Sequence, residues 1–278
     1  MTQPVYTDRI IVGTGMTSEP ALRPGLAYPD WRFSVGRLEQ AEKLRLCGID
    51  PRLHGDQVDV THLATAAILL TKRAGFTING NVHVGQWFGQ VGPVPLGQPV
   101  TLAGAVKSVE PVPKGAEVRT EFTVTLADGS VALRMERLTL RLDPDRSESP
   151  KKPSGAAARQ SSDEGDVLRR LALQPADVAA YSGDGDNLIH SDPAVARQFG
   201  FRAPIAGGLM AVRLMLATLK ERCAADRLYI AVRFRRPMFW DDTLVLRGRL
   251  DPVTHTGTMA VIKDDGKTAV TATVSACA

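Results

Sequence analysis

Twice in this chain of 278 residues, a segment apolar on nearly every helical face precedes a train of strand patterns, and few folds accept that order. The first segment, residues 58–74, carries Leu63, Ala66, Ala67, Leu69 and Leu70 and stops at Gly75. The second, residues 208–222, carries Leu209, Met210, Val212, Leu214, Met215, Leu216 and Leu219. A helix apolar all round has to be covered on all sides. After the first come period-two alternations at 81–90, 100–109, 117–126 and 131–142. After the second come the same at 228–234, 243–250, 258–262 and 268–274. Asp128-Gly129 and Asp265-Gly266 are hairpin turn signals in corresponding places.

The chain is therefore read as an internal duplication. Residues 95–106 resemble residues 239–250, with Gly104 and Gly248 in the same place. Consecutive strands with short turns make a mostly antiparallel sheet. The expected class is α+β, each half a curved antiparallel sheet wrapped around one buried helix. Residues 143–166, rich in Pro, Ser, Gly, Ala and charges of both signs, read as a linker. This divides the chain into an N-terminal half (1–142), the linker, and a C-terminal half (167–278). Residues 1–32 read as an irregular lead-in, 35–48 as a helix, and 175–181 as a short helix with Pro at its start.

The chemistry gathers in residues 181–210, Y-S-G-D-G-D-N-L-I-H-S-D-P-A-V-A-R-Q-F-G-F-R-A-P-I-A-G-G-L-M. Asp184 and His190 are a carboxylate and an imidazole able to share the activation of a water. Asp186 lies closer to His190 and is the alternative acid. Asp192-Pro193 is a helix start, with Asp as cap and Pro at the first position, and Gly200 suits the position past its end. Gly207-Gly208 opens the second apolar helix, whose free N–H groups can polarise a carbonyl as charge builds on it. Water plus a polarised carbonyl suits addition to an α,β-unsaturated carbonyl compound, and equally thioester hydrolysis. The D-P-R-L-H stretch at 50–54 sits where a duplicated site would fall, but lacks the surrounding frame and reads as a surface turn. His62 and His83 read as packed or partly exposed residues.

Composition narrows the partners. The net charge is +4 with a pI near 9.1. Basic residues are dispersed and aromatics few, so no stacking platform for nucleic acid is read. A phosphorylated small molecule such as an acyl-coenzyme A explains the sign, and Arg235 and Arg236 are candidates to meet its phosphates. No apolar run is long enough to span a membrane, and the first residues do not read as a secretory signal. Cys47, Cys223 and Cys277 lack metal or disulfide-frame spacing and are expected as reduced thiols in a cytoplasmic protein without metal or redox cofactor.

The stretches S-G-D-G-D-N-L-I-H and A-P-I-A-G-G-L-M resemble the MaoC-like, (R)-specific enoyl-CoA hydratases, in their double hot-dog form. Their motif runs S/T-G-D-x-N-P-[IL]-H, then P-I-x-H-G-[LM]. The resemblance covers residues 174–215 and extends weakly through F-R-R-P-M-F-W-D-D-T-L. It implies two tandem hot-dog folds, a non-catalytic N-terminal half, and reversible hydration of a trans-2-enoyl-CoA to an (R)-3-hydroxyacyl-CoA. The water-activating roles would fall on Asp184 and His190. The thioester oxygen would fall to the amide of Gly208, beside Gly207, and the loop-orienting role to Asn187. This chain has one extra residue between Asp184 and Asn187, Leu188 in place of Pro, and Gly207 in place of His. An acyl-CoA thioesterase and a non-catalytic acyl-CoA-binding protein stay open as alternatives, and so does a homodimer.

Overall fold

The computed structural model describes residues 19–78, 81–142, 165–183, 187–223 and 226–277. Ten strands form one sheet in the order β1-β3-β4-β5-β2-β7-β10-β9-β8-β6, every neighbour antiparallel. The first five are β1 (Trp31–Phe33), β2 (Asn81–Gln90), β3 (Val100–Val112), β4 (Gly115–Thr125) and β5 (Val131–Leu142). The second five are β6 (Asp166–Ala172), β7 (Leu228–Phe234), β8 (Thr243–Leu250), β9 (Gly257–Lys263) and β10 (Thr268–Cys277). The order reads the same from either end, with β2 and β7 joined at the middle, where Phe88 faces Ile230 and both are fully buried. The chain is thus α+β and built as two repeats.

The helices repeat as well. In the first half α1 (Arg37–Arg45), a 3-10 turn (Pro51–His54) and α2 (Thr61–Arg73) precede β2. In the second, α3 (Pro175–Ser182), a 3-10 turn (Leu188–His190), α4 (Pro193–Gln198) and α5 (Gly208–Arg222) precede β7. Only α4 has no counterpart. Its start matches the sequence reading: the Asp192 side chain accepts from the Ala194 and Val195 amides at 2.7 and 3.2 Å, with Pro193 at the first position. Its end does too, since Gly200 has a φ of 78°.

Every residue of α5 from Leu209 to Leu219 is buried, as its all-round apolar sequence requires. Burying side chains such as Leu214, Met215 and Leu219 stabilises the fold by about 2 kcal/mol each. One of those buried residues is Arg213, which crosses to the first repeat. Its Nε lies 2.6 Å from Asp59 Oδ2 and 2.7 Å from Thr61 Oγ1, and its guanidinium lies 5.0 Å from the centre of the Tyr181 ring.

Two sequence expectations need correction here. Residues 50–54 are not a surface turn throughout, because His54 is buried. The chain folds back at Gly55, and Gln57 pairs with Pro95, which carries the histidine under the sheet edge. Cys47 is a free, buried thiol, pushed up to about 12 by burial, but Cys223 is disulfide-bonded. The cysteines therefore do not carry the cytoplasmic reading. Among the described residues, no helix is long and apolar enough to cross a membrane.

Candidate active site

Between the repeats lies a cavity of about 330 Å³. The second repeat contributes His190, Asn187, the start of α5 and the segment from Phe234 to Met238. The first contributes Thr65 and Ile68 of α2, His83 of β2 and Arg137 of β5. Four predicted site residues thus line the same cavity: Asn187, His190, Gly207 and Gly208. Arg235 and Arg236 also line it. They are exposed and are held by Thr271 Oγ1 at 3.2 Å and the Thr268 carbonyl at 3.0 Å. Asp184 and Asp186 lie outside the described residues.

Gly208 is the first residue of α5, where amides lack acceptors inside the helix. No side chain caps this end, and among the described residues nothing accepts from the Gly208 or Leu209 amides. The absence of a side chain at 208 is required. A Cβ there would sit 2.6 Å from Cε1 of Phe234. The Phe234 ring packs against the helix start, and Gly208, Leu209 and Phe234 all line the cavity.

The orientation of His190 is set by the backbone. Its Nδ1 is 2.7 Å from the carbonyl oxygen of Ile205. A carbonyl can only accept, so Nδ1 carries the hydrogen and Nε2 keeps its lone pair. Ile205 is itself fixed, its amide donating to Ile189 at 3.1 Å and its backbone bridging to Phe239. Burial lowers the His190 pKa below 6.5, against a weaker opposing effect of the Ile205 bond. The imidazole is therefore neutral at neutral pH. If it serves as a base, the acid limb of kcat/KM for hydration should have its midpoint below 6.5, the ordinary imidazole value. A pH profile whose acid limb lies above that value contradicts the assignment.

The equivalent place in the first repeat is closed. Val58 donates to Val94 and Ala206 to Met238, at 2.8 and 2.7 Å; Gln57 bridges Pro95 as Ile205 bridges Phe239. Counting on from these pairs, Asp59 stands where Gly207 stands, while His54 ends the 3-10 turn of its repeat as His190 ends that of the second. The cavity there holds only about 40 Å³. Asp59 fills the helix start itself, its Oδ1 accepting from the Thr61 amide at 3.0 Å and its Oδ2 from the Thr61 hydroxyl at 2.9 Å.

Sequence reading missed Arg137 and Arg213. Both had a signal: Arg137 follows Leu133 and Met135 on the inward face of β5, and Arg213 is the one charge inside the apolar run of α5.

The fold is that of a hot-dog protein. Residues 158–275, in the C-terminal half, match the family model described as a MaoC like domain. That match supports hydratase or dehydratase chemistry in general. Among solved structures, the chain is similar to HtdX from Mycobacterium tuberculosis, with 22% identity over 89% of this chain and 99% of that one and a TM-score of 0.73. It is similar to the peroxisomal multifunctional enzyme type 2 from Drosophila melanogaster, with 20% identity over 90% of this chain and 48% of that one and a TM-score of 0.69. An acyl-ACP thioesterase from Bacteroides thetaiotaomicron shares the fold at 11% identity over 88% of this chain and 96% of that one, with a TM-score of 0.57. No curated protein sequence matches the chain.

Proposed function

We propose that this protein hydrates a trans-2-enoyl-CoA to an (R)-3-hydroxyacyl-CoA, and catalyses the reverse dehydration. The observation that carries the reading is the meeting, in one cavity, of a histidine whose Nδ1 is taken up by the Ile205 carbonyl and a helix-start amide at Gly208 that has no acceptor among the described residues. His190 takes a proton from water, which Asp184, or Asp186 in its place, helps to hold. The oxygen adds to C3, and the electron pair of the double bond moves toward the thioester oxygen. The Gly208 amide bears that developing charge, and a proton returns to C2. The stereochemistry and the acid follow the family resemblance. Arg235 and Arg236 at the rim suit the coenzyme A phosphates. The first repeat is assigned no chemistry, because the Asp59 carboxylate occupies the helix start that an oxyanion would need.

The test is the loss of enoyl-thioester absorbance across a panel of chain lengths, with thiol release followed in parallel. Loss of the double bond without free thiol is the expected result. Free thiol with the double bond intact makes the protein a thioesterase. Within that assay, Gly208→Ala should lower kcat by about 100-fold, as removal of an oxyanion donor does. Its methyl would meet the Phe234 ring and push the substrate carbonyl off the amide. Activity equal to the parent would remove Gly208 from the role.

A further inference from the structure

The wall of the cavity away from Gly208 carries a positive charge with no counter-ion. Arg137 is buried, yet among the described residues no carboxylate lies within ion-pair distance of it. Its Nη2 donates to Thr71 Oγ1 at 2.6 Å, and the guanidinium lies 5.2 Å from the centre of the Phe122 ring. Its Nε is buried without a partner. Among the described residues no hydrogen bond engages Nη1, so most of its five donor hydrogens are unused. Burial pushes Arg137 down to about 10, which leaves it cationic at neutral pH. A buried charge is costly unless an opposite charge meets it.

The neighbours strengthen the case. His83 lies beside Arg137, with its Nε2 buried and unpartnered, and burial holds it neutral at about 3. Thr139 sits across from His83 in the β2–β5 register, on the inward face it shares with Arg137. None of the described residues that line the cavity is acidic. Successive contacts link this group to the helix start through two rings. Phe234 packs on Gly208, the His83 ring lies 4.7 Å from the Phe234 ring, and Arg137 comes after His83. A substrate with its thioester oxygen at Gly208 would therefore run past two rings before reaching the guanidinium.

We infer that Arg137, with His83 and Thr139, receives a carboxylate at the distal end of the acyl chain, so that the substrates are trans-2-enoyl thioesters of dicarboxylic acids. The inference rests on the hydratase reading for the word enoyl, but the recognition of the distal carboxylate does not depend on turnover. Two measurements separate them. The first is binding of saturated acyl-CoA analogues of equal length, ending in a methyl or in a carboxylate, to the full chain by calorimetry. The second is hydration of the corresponding enoyl-CoA pair.

The carboxylated analogue is expected to bind about 100-fold more tightly, as when a site's buried polar groups find or lose their partner. Arg137→Met should abolish that preference, and Arg137→Lys should keep part of it. Preferential binding without hydration would leave this inference standing and defeat the hydratase reading. Hydration of the methyl-ended substrates with no preference for a carboxylate, in either measurement, would overturn the inference. Because the unaltered protein already gives the deciding comparison, a variant that fails to fold does not spoil the test.

Discussion

Replacing His190 with alanine should lower kcat for enoyl-CoA hydration by about two to four orders of magnitude, the usual range for a lost general base. The fold should survive. His190 sits on a three-residue turn whose backbone is held by its own bonds, and among the described residues the ring makes one bond, to the Ile205 carbonyl. The substituted protein should therefore keep its circular dichroism and melt near the parent temperature. His190→Gln is the sharper comparison, because its amide can still donate to Ile205 but offers no basic nitrogen. A folded His190→Gln variant that hydrates at the parent rate would refute the role of the imidazole.

The second large effect concerns stability. Arg213→Met is expected to destabilise the protein by about 3–5 kcal/mol, because it leaves the Asp59 carboxylate buried and unpaired. Chemical denaturation reads this as a lower midpoint. Adding Asp59→Leu should recover much of the loss, since a buried ion pair replaced on both sides by apolar groups is often neutral. If the double variant is no more stable than the single one, the pair is not what Arg213 supplies.

The pH dependence follows with a definite sign. Burial alone would raise the Asp59 pKa; the Arg213 charge, with smaller help from His54, His62 and the Thr61 amide, overrides it and brings the pKa from 3.8 to about 2. A lowered carboxyl pKa contributes stability that is complete above 3.8 and lost as the pH falls toward 2. The parent should lose this stability in that interval. In Arg213→Met the largest opposing charge is gone, burial weighs more against the smaller effects of His54, His62 and the Thr61 amide, the pKa rises, and the interval of loss shrinks.

Much of this architecture was legible because the two periods are strong. β2, β5, α5, β7 and β8 begin and end where alternation and the apolar helical run place them. β1 and β6 were not anticipated. Both are edge strands that pair on one side only, and β6 starts at Asp166 with Val167 exposed, so neither needs an apolar alternation. Half of the site was legible for a different reason. His190 and Gly208 lie in one stretch, joined by the Ile205 backbone, and local motif reading reaches that far. The opposite wall comes from Thr65, His83 and Arg137, which reach the cavity only because β2 pairs with β7. That pairing depends on how two repeats meet, which no local pattern encodes.

The Asp59 carboxylate at the start of α2 has a consequence for how such a molecule could have come about. Two identical single repeats meeting about a twofold axis would carry two identical reaction centres, and any residue change would strike both. Once the copies are fused in one polypeptide, each can change alone. Here Asp59 of one copy anchors Arg213 of the other, and the same copy lends walls to the cavity, a division of labour that an assembly of identical subunits cannot adopt.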